Sequence, residues 1–266
     1  MARALAVPDH PSLVGPIARI DRADELVVAL RDALQAFVAT KPYTVEERPD
    51  ENRAVRMFVV TSVRDIPTRP RIIAGEIAHH LRASLDLLAY QLLLKVGIDD
   101  EERLRNCAFP IIMNRDLSNP SDKRKHDDSI NAKIGGIDQR AYDRIVALQP
   151  CGGNKEWSHL AQIQALDNTD KHRLLLAAAA STRIGGWNFR DEHGNVTTLP
   201  HDSFVPMQVD AMVKVQSPPP GWILPNLASE IAFMEPGPVW GKPLDHILRN
   251  LSRMTRQTVN TFADCF

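Results

Sequence analysis

Between residues 16 and 40, apolar side chains recur every third or fourth position, at Ile17, Ile20, Val27, Leu30, Leu34 and Phe37. With Asp21 and Asp24 near its start, this spacing predicts an amphipathic helix. Residues 43–47 and 55–63 are instead β-branched and aromatic, separated by the turn-forming Pro49-Asp50-Glu51-Asn52, the pattern of a hairpin. A long helix is expected over 71–96, with Gly97 placed to end it, then shorter helices over 100–105 and 138–148. The helical pattern resumes over 156–178 and closes on a run of alanines. Strand-like alternation marks 181–217 and 231–234, and a last helix over 243–263 carries Ile247, Leu251, Met254, Val259 and Phe262.

This order predicts an α+β fold: a helical bundle with two long central helices packed on a mainly antiparallel sheet, in a single domain spanning 1–266. The polar stretch 114–136, with Lys123-Arg124-Lys125 beside Asp127-Asp128, reads as a mobile surface loop.

The densest chemistry lies in Gly-Glu-Ile-Ala-His-His-Leu-Arg-Ala-Ser-Leu-Asp, from Gly75 to Asp86. On a helix, Ile73, Ile77, Leu81, Leu85, Leu88 and Leu92 form a core stripe. Glu76, His79, Asp86 and Tyr90 form a second stripe with Arg82 at its margin, and Arg82 reaches Asp86 at i,i+4. In the later helix, His159, Ile163, Leu166, Asp170 and Leu174 share a face, so a carboxylate stands where an apolar residue is expected. A buried Asp170 needs a partner, and Arg82 or a histidine of the first helix is the natural donor.

These two segments resemble a widespread set of uncharacterised bacterial proteins that carry a Gly-Asp-x-x-His-Asn-Leu-Arg-Ser-x-Leu-Asp-like helix and an Asn-x-Asp-Lys-His-Arg segment. The matching residues are Gly75, His79, Leu81, Arg82, Leu85 and Asp86, then Asn168, Asp170, Lys171, His172 and Arg173, together with the Phe-Pro-Ile piece at 109–111. Glu76, His80 and Ala83 depart from the pattern. The resemblance implies one shared site or network and carries no activity with it.

Composition narrows the function classes. With 32 Lys plus Arg against 33 Asp plus Glu, the formal net charge is -1, so no bulk basic field favours a nucleic-acid partner. Cys107, Cys151 and Cys265 are widely spaced, as expected of reduced thiols in a cytoplasmic protein. No secretory pattern opens the chain, and its most apolar run, 85–96, is interrupted by Asp86 and Gln91, short of the roughly 20 residues a membrane span needs. The expected partner is a small or phosphorylated ligand, with no membrane contact and with a homo-oligomer left open.

Four readings of the polar cluster follow. In a hydrolase-like or anion-binding site, His79 and His172 handle protons, Asp86 and Asp170 orient them, and Arg82, Lys171 and Arg173 bind negative charge. In a metal site, Glu76, His79 and Asp170 hold a divalent cation, with His172 or His159 completing the shell. A HEPN-like ribonuclease would share the Arg and His chemistry, although the usual spacing of those residues is absent. The fourth reading is non-catalytic: the same residues form a buried ionic network that locks two helices together.

Overall fold

The computed structural model describes residues 10–49, 55–113, 116–151, 158–172, 178–184, 187–190, 196–199, 203–206, 212–216, 222–223, 227–233 and 237–266. Among these are helices α1 (Val14–Ala39), α2 (Thr68–Lys95), α3 (Glu101–Asn106), α4 (Pro120–Ile134), α5 (Gln139–Leu148), α6 (His159–His172) and α7 (Leu244–Asn260). The strands are β1 (Tyr43–Pro49), β2 (Val55–Val63), β3 (Ala178–Ile184), β4 (Trp187–Arg190), β5 (Val196–Leu199), β6 (Ser203–Pro206), β7 (Met212–Gln216), β8 (Trp222–Ile223) and β9 (Leu227–Phe233). The chain divides into two compact units: residues 1–29, 72–175 and 247–266 in one, 30–71 and 176–246 in the other.

The first unit is helical and closes its own core. Every residue of the core stripe expected on α2, from Ile73 to Leu92, is buried, and it is widened by Ala74, Ala78, Ala89 and Leu93. Gly97 ends α2 as expected: at φ 77° its N–H donates to Leu94 O, while Ile98 N–H reaches back to Leu93 O, a Schellman closure that glycine makes without steric cost. Ser84, fully buried, donates its hydroxyl to Pro16 O across 2.9 Å and so ties α2 to α1. Arg256 of α7 donates to Asp21 and Asp24 of α1, at 2.7 and 2.9 Å.

The second unit contains the strands in three separate three-stranded sheets, ordered β1-β2-β7, β6-β3-β9 and β5-β4-β8, all paired antiparallel. The expected hairpin is β1 and β2, with a register shift between Thr44 and Val45.

These observations correct the expected α+β fold. The described chain is mostly helical, with helices of up to 28 residues against strands of two to nine, and among the described residues the strands form three small sheets rather than one. Alternation marks a strand locally, but the partner of each strand is set by distant residues, and those pairings distribute the strands over three sheets. The alanine run is a second correction. Ala178 to Ala180 begin β3, because pairing with β9 outweighs the helix propensity of alanine there.

The supposed loop at 114–136 contains α4, which starts from Pro120 with Asn119 capping Ser121 N at 2.9 Å. His126, Ile130 and Ile134, four residues apart, form its buried stripe; polar neighbours hide that period in the sequence. Among the described residues no helix is long and apolar enough to cross a membrane.

His159 at the start of α6 meets Thr258 of α7, Nε2 to Oγ1 at 2.9 Å, and burial lowers its pKa to about 4. The folded chain therefore keeps this ring neutral while the unfolded chain protonates it at the ordinary 6.5, so stability is lost as pH falls from about 6.5 to about 4. Complete loss of this contribution would amount to about 3 kcal/mol. His159→Gln is expected to flatten that acid limb in denaturant titrations; an unchanged limb would contradict the assignment.

Candidate functional site

The polar stripe of α2 separates into two clusters with different partners. In the first, the Arg82 guanidinium grips the Asp86 carboxylate with two donors, Nε at 3.2 Å and Nη2 at 2.8 Å. Its remaining contacts run to Gln164 Oε1 on α6, at 3.0 Å, and to Phe109 O, at 2.8 Å. Phe109 N–H in turn donates to Asp86 Oδ1 at 2.9 Å, and the Phe109 ring is fully buried.

Arg82, with a side chain 11% exposed, thus clasps α2, α6 and the Phe-Pro-Ile segment together. The i,i+4 pairing expected from the sequence is present, but its purpose differs from a ligand seat. Four hydrogen bonds occupy the guanidinium, and among the described residues Asp86 is held by Arg82 and Phe109 N–H rather than by a histidine.

The second cluster lies where α2 and α6 approach closely. A Cβ at position 75 would overlap the Asp170 carboxylate, so glycine is what lets this side chain rest on the α2 backbone. One turn earlier on α6, Asp167 is only 1% exposed. Its Oδ2 receives Lys171 Nζ at 2.6 Å, and its Oδ1 faces His79 Nδ1 at 3.4 Å. Oδ1 accepts no hydrogen bond among the described residues and keeps its acceptor capacity for that imidazole. The His79 ring is 58% exposed, so a solvent-facing imidazole has its inner nitrogen against a buried carboxylate.

Asp170 is partly exposed rather than buried; of the two partners expected for it, Arg82 is committed elsewhere and His79 acts on its charge. Burial and then the neighbouring Asp167 raise its pKa; His79 works against that rise and Glu76 adds to it. The buried acid is Asp167, which the sequence reading passed over. Two signals pointed to it: the position four residues after the apolar Ile163, and the i,i+4 spacing from Lys171.

Glu76 is exposed, and among the described residues no group of three or more His, Cys, Asp or Glu is arranged to hold a metal ion. Glu76, His79 and Asp170 are thus not gathered into a metal-holding group among the described residues. Lys171 is committed to Asp167 rather than open to an anion. Arg173 and the side chain of His172 lie outside the described residues.

His126, within the stretch 114–136 expected to be a surface loop, is 1% exposed, with Nδ1 3.1 Å from Asp127 and Nε2 without a hydrogen-bond partner among the described residues. Burial and the nearby Asp86 raise the pKa of Cys107, away from the thiolate form a nucleophile needs. The second unit has a separate cavity of about 430 Å³, lined by Arg31, Leu34, Gln35, Val38, Ala39, Ile231 and Asp245, a feature with no sequence signal.

Comparison with family models, curated proteins and solved structures finds no match to this chain.

The close approach at Gly75 gives a direct test of this geometry. Gly75→Ala is expected to destabilise the chain by about 1–3 kcal/mol in urea titrations, by forcing α6 or the Asp170 carboxylate outward. Adding Asp170→Ala should recover most of that loss. Equal stability of Gly75→Ala and wild type would show that the two helices do not approach in this way.

Proposed function

We propose that the α2–α6 junction is a metal-free acid–base site of hydrolase type, with His79 as its proton-transfer group. The observation that carries this reading is an exposed imidazole facing a buried carboxylate, at 3.4 Å. A carboxylate behind Nδ1 favours the tautomer with its proton on that nitrogen, which turns the lone pair of Nε2 to solvent. From there Nε2 takes a proton from an attacking water or hydroxyl. Lys171 neutralises the other oxygen of Asp167, so the pair carries no second uncompensated charge.

Asp170 supplies the opposite function. Its raised pKa lets it hold a proton further into the pH range than an ordinary aspartate, close enough to His79 for the two charges to interact. A carboxyl group that holds its proton beside an imidazole that can accept one supplies an acid and a base without a metal. The structural-network reading keeps its force for Arg82 and Asp86, whose hydrogen bonds are internal. It gives no reason for an imidazole to stand in solvent on a buried acid.

Nitrogen-15 NMR of the neutral imidazole should find His79 with its proton on Nδ1, and Asp167→Asn should return it to the Nε2–H form. With 4-nitrophenyl acetate and 4-nitrophenyl phosphate as probes, His79→Ala should lower kcat/KM for whichever is turned over, by about 10²–10⁴-fold. A wild-type His79 in the Nε2–H form, or turnover indifferent to His79→Ala, would overturn the reading.

A further inference from the structure

On the side of His79 away from α6, α2 packs against the start of α1. The two helices run antiparallel there: Gly15 faces Leu87, Pro16 O receives the Ser84 hydroxyl, and the next turn brings Arg19 near His80. Arg19 is exposed and makes no ion pair among the described residues, whereas Arg22, one turn on, is held by Glu25 at 2.8 Å. The His79 and His80 rings lie 6.3 Å apart with their planes at 58°; His79 faces Asp167 of α6 at 3.4 Å, and His80 feels the charges of Arg19 and Arg22 of α1. His80 Nδ1 is buried without a hydrogen-bond partner among the described residues.

The electrostatics follow the same division. Burial, then Arg19, His79 and Arg22, lower the pKa of His80, and Glu76 only partly offsets them, so the potential at this ring is positive. At Asp170 the neighbouring acids have the opposite effect. His79 thus stands at the boundary between a cationic and an acidic side. That arrangement suits a substrate with an anionic group beside its reacting bond.

We propose that this face of the helical unit binds a substrate bearing a phosphate group, seated on Arg19 and the His80 edge, with its reacting bond over His79. The proposal rests on the acid–base reading of His79 and adds the class of substrate to it. Arg19 offers the planar pair of donors that phosphate oxygens accept, and it makes no ion pair among the described residues, while the nearby Glu76 only partly offsets the positive potential at His80. Lys171, on the other side, is occupied by Asp167.

The test is a titration of the full chain with phenyl phosphate, followed through the imidazole proton–carbon resonances, with phenyl acetate as the neutral comparison. Phenyl phosphate should shift the His80 signal to saturation, and phenyl acetate should not. Arg19→Gln should weaken phenyl phosphate binding about tenfold, while Arg31→Gln, further along the same helix, should leave it unchanged. No shift at His80, or equal affinity in Arg19→Gln and wild type, would overturn the proposal. If phenyl phosphate binds through Arg19 while turnover ignores His79→Ala, the phosphate seat stands and the acid–base role fails. If a neutral ester is turned over through His79 without phenyl phosphate binding, the phosphate seat fails alone.

Discussion

A carboxylate stripped of water must be compensated, and at the α2–α6 junction this requirement fixes where every neighbouring polar group stands. Asp167, 1% exposed, takes Lys171 on one oxygen and faces His79 with the other. The two helices can meet here because Gly75 has no Cβ to displace Asp170. Burial at this approach, and then the neighbouring Asp167, raise the pKa of Asp170. One close approach therefore produces a buried base, an exposed imidazole and a weakened acid.

The Arg82 clasp, one turn along α2, ties further elements to that junction. Its bonds to Asp86, Gln164 and Phe109 O hold α6 and the extended Phe-Pro-Ile segment on α2, so His79 and Asp167 sit on two elements of fixed spacing. The structural reading fits Arg82 and Asp86, whose hydrogen bonds are internal, while the functional reading is the one proposed for His79, Asp167 and Asp170. Charges whose hydrogen bonds are satisfied within the protein maintain the fold, and the charge left facing solvent is available for chemistry.

Local pattern revealed what depends on local energetics. The core stripe of α2, its end at Gly97, the β1–β2 hairpin and the Arg82–Asp86 pair are all set by residues a few positions apart, and all were legible. Assignments that depend on distant partners were not. Pairing with β9 drew Ala178 to Ala180 into a strand, and the strands fell into three sheets instead of one. Helix α4 was hidden by its charge, since only His126, Ile130 and Ile134 face inward. Asp170 and Asp167 occupy neighbouring sectors of α6, and the rotation that buries Asp167 depends on the approach at Gly75 rather than on α6 itself.

If the junction is built for chemistry, its buried charge contributes no stability. The most direct measurement is the thermal unfolding of Asp167→Asn at pH 7. Both groups that face Asp167 are about half exposed, so removing its charge strands no buried cation: His79 and Lys171 can turn to water. The account predicts a Tm equal to or above that of wild type. A fall of roughly ten degrees, the scale of a broken buried ion pair of about 3–5 kcal/mol, would show that Asp167 holds the helices together and would contradict the functional reading.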